Sequence, residues 1–353
     1  ACTSNGTVAY SQVVMSAQYR CSNYCAQVHA SLTSADLHVV SGKGGTGKTT
    51  VAAALAMALA ADGRRTLLME VEGRQGIAQL FDVPPLPYAE TRVAVAPGGG
   101  EVWALAVDPE DALLDYLELF YNLRRAGSAL RKIGAIDFAT TIAPGLRDVL
   151  LTGKAVEVTR RKDKDSDSSY DAVVIDAPPT GRITSFLNVN SEVAGLAKVG
   201  PIHSHAELVM SVIASPRTAV HLVTLLEEMP VQETIDGIDE LRAAGLPVGM
   251  VFINMVRPEL LTDEQRRAAL SGQLPSSAIA EALSTSGLTG NTAPLTAMLT
   301  SEARDLALRL DMETTEREHL AHTNVTRCDL PYLSEGIDLG GLFTLAARIR
   351  ECP

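Results

Sequence analysis

The stretch Leu37-His38-Val39-Val40-Ser41-Gly42-Lys43-Gly44-Gly45-Thr46-Gly47-Lys48-Thr49-Thr50 decides the fold. Leu37 to Val40 is a short apolar run of strand character that leads into glycines. Lys48 to Ala61 is rich in Ala and Leu and is closed by Asp62-Gly63, a helix stop signal. Between them, Gly42 to Thr49 fits G-x-x-x-x-G-K-[ST] in the strand–loop–helix setting that gives this pattern its meaning. The glycines let the backbone turn tightly enough for several N–H groups to point inward. Together with the helix N-terminus they form an anion site. Lys48 supplies a point charge for the β- and γ-phosphates of a nucleotide, and the Thr49 hydroxyl can ligate Mg2+. The expected ligand is Mg2+-ATP. The expected binding set is Gly42, Lys43, Gly44, Gly45, Thr46, Gly47, Lys48, Thr49 and Thr50.

Working outward, Thr66 to Val71 reads as a second buried strand, and similar apolar runs recur at Ala172–Ile175, Ala219–Leu225 and Val248–Ile253. Strands that alternate with helices predict an α/β fold, a doubly wound and mostly parallel sheet covered on both faces. From about Asp108 to Arg217 helical segments dominate, at Pro109–Leu130, Leu146–Arg161 and Val189–Val212. They predict a helical subdomain, roughly 108–217, inserted into an ATPase domain of 36–353 that returns to the core for the strand 171–176. Residues 1–35 lack periodicity and read as an arm, possibly disordered. Arg160 to Asp171 is a mixed charge run, expected to be a solvated loop.

A second chemical signal lies at Val173-Val174-Ile175-Asp176-Ala177-Pro178-Pro179-Thr180-Gly181. An Asp at the carboxyl end of a strand beside the phosphate loop can hold Mg2+ through water. The turn behind it is placed to sense a γ-phosphate. The alternative is an Asp that caps the next helix.

Bulk properties limit the partners. The net charge is −12, which lacks the footprint of a nucleic-acid or anionic-membrane binder. No apolar run approaches the roughly 20 residues that span a bilayer. At most peripheral membrane association is expected. The start of the chain shows no secretory pattern, so a cytoplasmic location is expected. The five cysteines, Cys2, Cys21, Cys25, Cys328 and Cys352, are odd in number and scattered, which is not a disulfide framework. Cys21 and Cys25 could hold two ligands of a metal but lack a completing pair. Free thiols are the plainer reading.

Lys43 inside the loop narrows the class. The form K-G-G-x-G-K-[ST] resembles the deviant phosphate loop of signature-lysine ATPases, in which the early lysine reaches across a dimer to the partner's nucleotide. Asp176-Ala177-Pro178-Pro179-Thr180-Gly181 resembles the D-x-A-P-T-G stretch of the arsenite-pump and tail-anchored-protein targeting ATPases, and the similarity runs from about Leu37 onward. Glu70-Val71-Glu72-Gly73-Arg74-Gln75-Gly76 is most similar to the arsenite-pump-like ATPases of mycobacteria and their relatives. By that resemblance Lys43 acts across a dimer, Asn254 and the Pro331 segment read adenine, and Thr49 with Asp176 hold the metal. The family usually carries D-P-A-x-S after the second strand, with its Asp orienting the attacking water. Here Glu72 stands there, followed by Gly73-Arg74. A carboxylate displaced by ~1 Å can cost on the order of a hundredfold in rate. Slow or partner-dependent hydrolysis is therefore expected, with Lys43, Glu72 and Lys48 as the catalytic set. Arg74 either stabilises transferred charge or pairs with Glu70 or Glu72. Arg182 stands where the targeting ATPases often have His. The targeting ATPases often carry C-x-x-C for zinc at the dimer seam and the arsenite pumps use cysteines to sense metalloid, but here no Cys lies between Cys25 and Cys328, so neither role has its residues.

The resemblance implies ATP and ADP as ligands and either a homodimer or a heterodimer with a related ATPase subunit. It also implies a client protein with a hydrophobic segment. The apolar stretch Leu113 to Tyr121 would line a groove for that client or simply pack. Two other readings stay open. One is a low-activity nucleotide-binding scaffold in a hetero-oligomer, and the other is a partition or septum-site type ATPase.

Overall fold

The computed structural model describes residue 32 and residues 34–121, 144–161, 169–196, 201–288 and 290–352. Cys2, Cys21 and Cys25, residues 122–130 of the first expected subdomain helix, and 162–168 of the charge run lie outside the described residues.

Among the described residues eight strands form one sheet: β1 (Leu37–Gly42), β2 (Arg65–Glu70), β3 (Thr91–Val95), β4 (Glu101–Ala106), β5 (Ala172–Asp176), β6 (Thr218–Thr224), β7 (Val248–Val256) and β8 (Arg327–Pro331). Their order is β3-β4-β2-β5-β1-β6-β7-β8, and among these pairings only β3 with β4 is antiparallel. The α/β, mostly parallel sheet expected from the apolar runs is the fold observed. The chain leaves β1 for one side of the sheet and comes back to its other side at β6. That topological switch opens a crevice at the carboxyl ends of the strands, where ligands of open α/β sheets bind.

Side chains alternate between two separate cores. Leu37, Val39, Leu67, Met69, Val173 and Ile175 point into one, and Val40, Leu68, Ala172 and Val174 into the other. Both faces are covered, so the central strands read as continuous apolar runs rather than as alternating ones. The helix after β1, α1 (Lys48–Ala60), is buried on nearly every side, with Val51 to Ala60 all enclosed. Small alanines let it pass between the sheet and the last helix of the chain, Leu339–Glu351.

The short helix α2 (Gly76–Leu80) follows β2. The next helices are α3 (Pro109–Tyr121), α4 (Pro144–Thr159), α5 (Thr180–Leu196), α6 (Pro201–Ile213) and α7 (Glu228–Ala243). Through α4 to α7, residues such as Leu151, Phe186, Val209 and Ile238 cover the face that holds Leu37 and Ile175. Between β7 and β8 lie α8 (Asp263–Leu270), α9 (Ser276–Thr285) and α10 (Ala293–Ala321), and α11 (Leu339–Glu351) closes the described chain. Nothing in the local pattern marked α8 to α10 as a unit. Helix α9 buries no residue, and α10 buries only Thr296, Ala307, Glu316 and Leu320 over its 29 residues.

Three strands went unread, for physical reasons. Residues of β3 are only half-buried or exposed, because β3 is an edge. The short run Ala104 to Ala106, just before the expected subdomain, closes β4 against β2. Leu330-Pro331 closes the other edge strand, β8, on β7. A correction also falls on the cysteines. Cys328 and Cys352, both fully buried, form a disulfide with a Cα–Cα distance of 5.3 Å that ties β8 to the end of α11. Sequence spacing carries no sign of this, because the approach is made by packing α11 onto the edge of the sheet.

Candidate active site

The phosphate loop is held open by its backbone. Gly45 and Gly47 adopt the left-handed conformation, with φ of 90° and 86°. A Cβ on Gly47 would collide with the Asn254 amide. Thr46 turns the loop back on itself: its hydroxyl and its N–H both donate to the Lys43 carbonyl, at 2.9 and 3.3 Å. The Asn254 amide donates to the Thr46 carbonyl at 2.9 Å, so β7 braces the loop from beneath. Helix α1 starts at this loop with no side-chain cap and no acidic residue in its first turn. Its first N–H groups are thus free of side-chain acceptors, as an anion site requires. Lys48 is buried, Thr49 and Thr50 are half-buried, and Gly44 and Gly45 are exposed at the mouth.

Beside Lys48, the carboxyl ends of β2 and β5 are in register, with Glu70 opposite Asp176. Asp176 accepts a 2.6 Å hydrogen bond from the Thr49 hydroxyl through Oδ2. Its Oδ1 is buried and has no partner. Burial pushes the Asp176 carboxyl up to about 6; Thr49 and Lys48 oppose this, and the nearby Glu70 and Glu72 charges add to it. A buried carboxylate oxygen without a donor is costly unless a cation comes to it. Thr49 and Asp176 therefore fit Mg2+. Among the described residues no group of three or more His, Cys, Asp or Glu forms a metal cage. That suits an ion held mainly by phosphates and water.

The segment after β2 carries Glu72, with a largely enclosed side chain, and the exposed Arg74. Arg74 Nη2 lies 3.5 Å from Glu72 Oε2. Of the two readings for Arg74, pairing with Glu72 is the arrangement observed. Lys43 points toward its own chain, with Nζ 2.6 Å from Glu233 Oε1 on α7. The Thr180 hydroxyl lies 3.4 Å from the other Glu233 oxygen. Ser41 donates to the Pro178 carbonyl at 2.6 Å, which joins β1 to the turn after Asp176.

A cleft beside the loop is lined by Leu225, Leu226, Asn254, Met255, Arg257 and Tyr332, among others. The Arg257 guanidinium stacks over the Tyr332 ring at 5.0 Å. Asn254 stands at this cleft. Pro331 pairs with Val256 behind it, and Tyr332, the next residue, supplies the lining.

Several residues of the site carried no clear signal in the sequence. Arg147, in the first turn of α4, donates to the Val71 carbonyl at 3.1 Å, one residue before Glu72. Its neighbour Asp148 lies 3.5 Å from Arg182, two residues after Thr180. Burial pushes the Asp148 carboxyl up, and Arg182 and Arg147 oppose this. Read from the sequence, Glu70 is only a candidate partner for Arg74. A signal for it did exist: an apolar strand ending in a carboxylate, the same pattern that marks Asp176.

With this geometry in hand, comparisons with known proteins agree. Residues 36–214 match the family model described as Anion-transporting ATPase, ArsA_ATPase. The chain is 51% identical over 320 residues to the ATPase BagA of Mycobacterium tuberculosis, covering 91% of this chain and 94% of that protein. It is 30% identical over 256 residues to an Arsenical pump-driving ATPase of Escherichia coli, covering 66% of this chain and 41% of that protein. It is also 24% identical over 251 residues to the ATPase GET3 of Kluyveromyces lactis, covering 62% and 71%. Family model, relatives, sheet order and phosphate loop all lead to one assignment: the chain belongs to the ArsA ATPase family and is an ATP hydrolase.

Proposed function

We propose that the chain is a Mg2+-dependent ATPase that works as a dimer and transmits its nucleotide state to its helical segments, 108–217, to open and close around a client. One observation carries this reading. Successive residues at the start of α4, Arg147 and Asp148, hold the two segments that flank the nucleotide site, through Val71 and Arg182. A change in either segment is thereby passed to α4. Such coupling between a loop and a packed helix is the ordinary material of a nucleotide switch.

In this reading each residue of the site has a role. The loop N–H groups and Lys48 hold the phosphates. Thr49 and Asp176 hold Mg2+, which supplies charge neutralisation at the transferred phosphate. Glu72 orients the attacking water. Lys43 leaves Glu233 to reach the nucleotide of a second subunit, either a copy of this chain or a related one. Asn254 and Tyr332 line the space for adenine. The client is a protein with a hydrophobic segment. Nucleic acid is not proposed as a partner, given the −12 charge. Among the described residues no helix is long and apolar enough to cross a membrane. The site of action is proposed to be the cytoplasm, with at most peripheral contact with a membrane.

A second reading draws on the Glu72–Arg74 pair, which partly neutralises the water-orienting carboxylate. In that reading the chain holds nucleotide with little turnover, as one subunit of a hetero-oligomer. The deciding experiment is Mg2+-dependent ATP hydrolysis over a range of protein concentrations, with Lys43→Ala alongside. Specific activity that rises with concentration, and a dead variant, support the dimeric ATPase. ATP binding without turnover supports the scaffold subunit.

A further inference from the structure

The two strand ends beside Lys48 carry two buried carboxylates, of which the metal reading uses one. Glu70 is 2% exposed. Its Oε2 accepts the Ile77 N–H at 3.2 Å, which anchors the far end of the segment containing Glu72 and Arg74. Its Oε1 is buried and has no partner, as is Asp176 Oδ1 on the adjacent strand, in register with it. Two unpaired carboxylate oxygens side by side in one enclosed corner are expensive. Lys48 supplies a single positive charge there against two negative ones. Arg74 does not offset the excess, because it lies on Glu72 at the exposed side. A cation, with the water it orders, would satisfy both oxygens at once.

We infer that Glu70 is a further positioning residue of the Mg2+ site: its Oε1 accepts a hydrogen bond from a metal-bound water while its Oε2 holds Ile77, linking the metal directly to the Glu72 segment. This rests on the Mg2+-nucleotide reading above. Mg2+ keeps several of its waters and takes few direct carboxylates, so a second carboxylate one shell out suits its chemistry. The linkage gives the metal a hold on both ends of the catalytic corner. Asp176 and Thr49 fix it to β5 and α1, and Glu70 fixes it to β2 and the loop that follows.

The experiment is calorimetric titration of ADP at a series of MgCl2 concentrations, with thermal melts in chelator and in MgCl2. The proteins are the wild type and Glu70→Gln, which retains an acceptor for Ile77 and loses the charge. The expected result has three parts. The Mg2+ needed for half of the affinity gain rises about tenfold, as outer-shell losses do. ADP affinity in chelator is unchanged. The metal-free melting temperature stays level or rises, because an unpaired buried charge is gone. An unchanged Mg2+ requirement overturns the inference, as does a variant whose only defect is a lower melting temperature with and without metal, the mark of a loop anchor alone. Wild-type ADP affinity that ignores Mg2+ overturns the metal reading itself, and this inference with it. Should Glu70→Gln fail to fold, Glu70→Asp serves: it draws the carboxylate back by one CH2 and is expected to raise the Mg2+ requirement, and an unchanged requirement overturns the inference.

Discussion

The Lys43 ammonium lies 2.6 Å from the Glu233 carboxylate of its own chain, across 190 residues of sequence. The side chains are 29% and 37% exposed, so solvent screens the pair and it contributes at most ~1 kcal/mol. In the proposed dimer that is enough to hold Lys43 back and small enough for a partner's phosphates to outbid. Glu233→Gln is therefore expected to lower the protein concentration of half-maximal specific ATPase activity by about two- to fivefold. An unchanged concentration dependence would mean that Glu233 does not compete for Lys43.

In the proposed reading Glu72 orients the attacking water, and Arg74 is engaged on it at 3.5 Å with its own side chain 74% exposed. Glu72→Gln should reduce turnover on the order of a hundredfold while ADP affinity stays constant, as loss of a water-orienting group does. Arg74→Ala should change turnover by less than about fivefold. A much larger loss would show that Arg74 leaves Glu72 to meet the transferred charge, as an arginine finger would.

Arg147 reaches the Val71 carbonyl, and Asp148 faces Arg182. Arg147→Ala removes one of these two contacts at a stability cost of about 1 kcal/mol. In hydrogen exchange, ATP should alter protection across Leu146 to Thr159 in the wild type and leave that helix nearly unaffected in the variant. Protection of the phosphate loop by ATP should persist in both. Equal responses of α4 in the two proteins would remove Arg147 from the coupling.

Inside the sheet, His38 on β1 and His221 on β6 stack with ring centroids 5.4 Å apart and share a 3.1 Å hydrogen bond. The Met250 N–H donates to His221 Nδ1, so His221 Nε2 carries a proton and donates to His38 Nδ1. His38 Nε2 then donates to the Ala35 carbonyl. Both rings are neutral in this chain of bonds. Burial lowers His38 to about 4, with Asp36 opposing and Arg64 assisting, and lowers His221 well below its usual value. The unfolded chain thus binds more protons, and stability falls as pH drops from about 6.5 through about 4. The His38 share is on the order of 3 kcal/mol below that range. Urea melts at about pH 7 and pH 4.5 should show this slope, and His38→Gln should flatten it. A wild-type profile without slope would count against the neutral pair.

The phosphate loop was legible because its chemistry is made by consecutive residues. Gly45, Gly47, Lys48 and Thr49 need only a strand before them and a helix after them, and the apolar runs supplied both. The central strands were legible for a related reason: burial on two faces leaves a continuous apolar signature. Edge strands β3 and β8 bury less and left none. Nor did the helices α8 to α10, whose side chains are mostly exposed.

The sequence alone thus determined the sheet class, the nucleotide loop and the carboxylate at the end of β5. Tertiary structure alone decided which distant groups share an environment. Strand register sets Glu70 beside Asp176, helix packing brings Lys43 to Glu233 and Arg147 to Val71, and docking of the last helix closes Cys328 on Cys352. Whether a carboxylate oxygen is satisfied or left unpaired depends on what surrounds it in space, and spacing along the chain does not encode that.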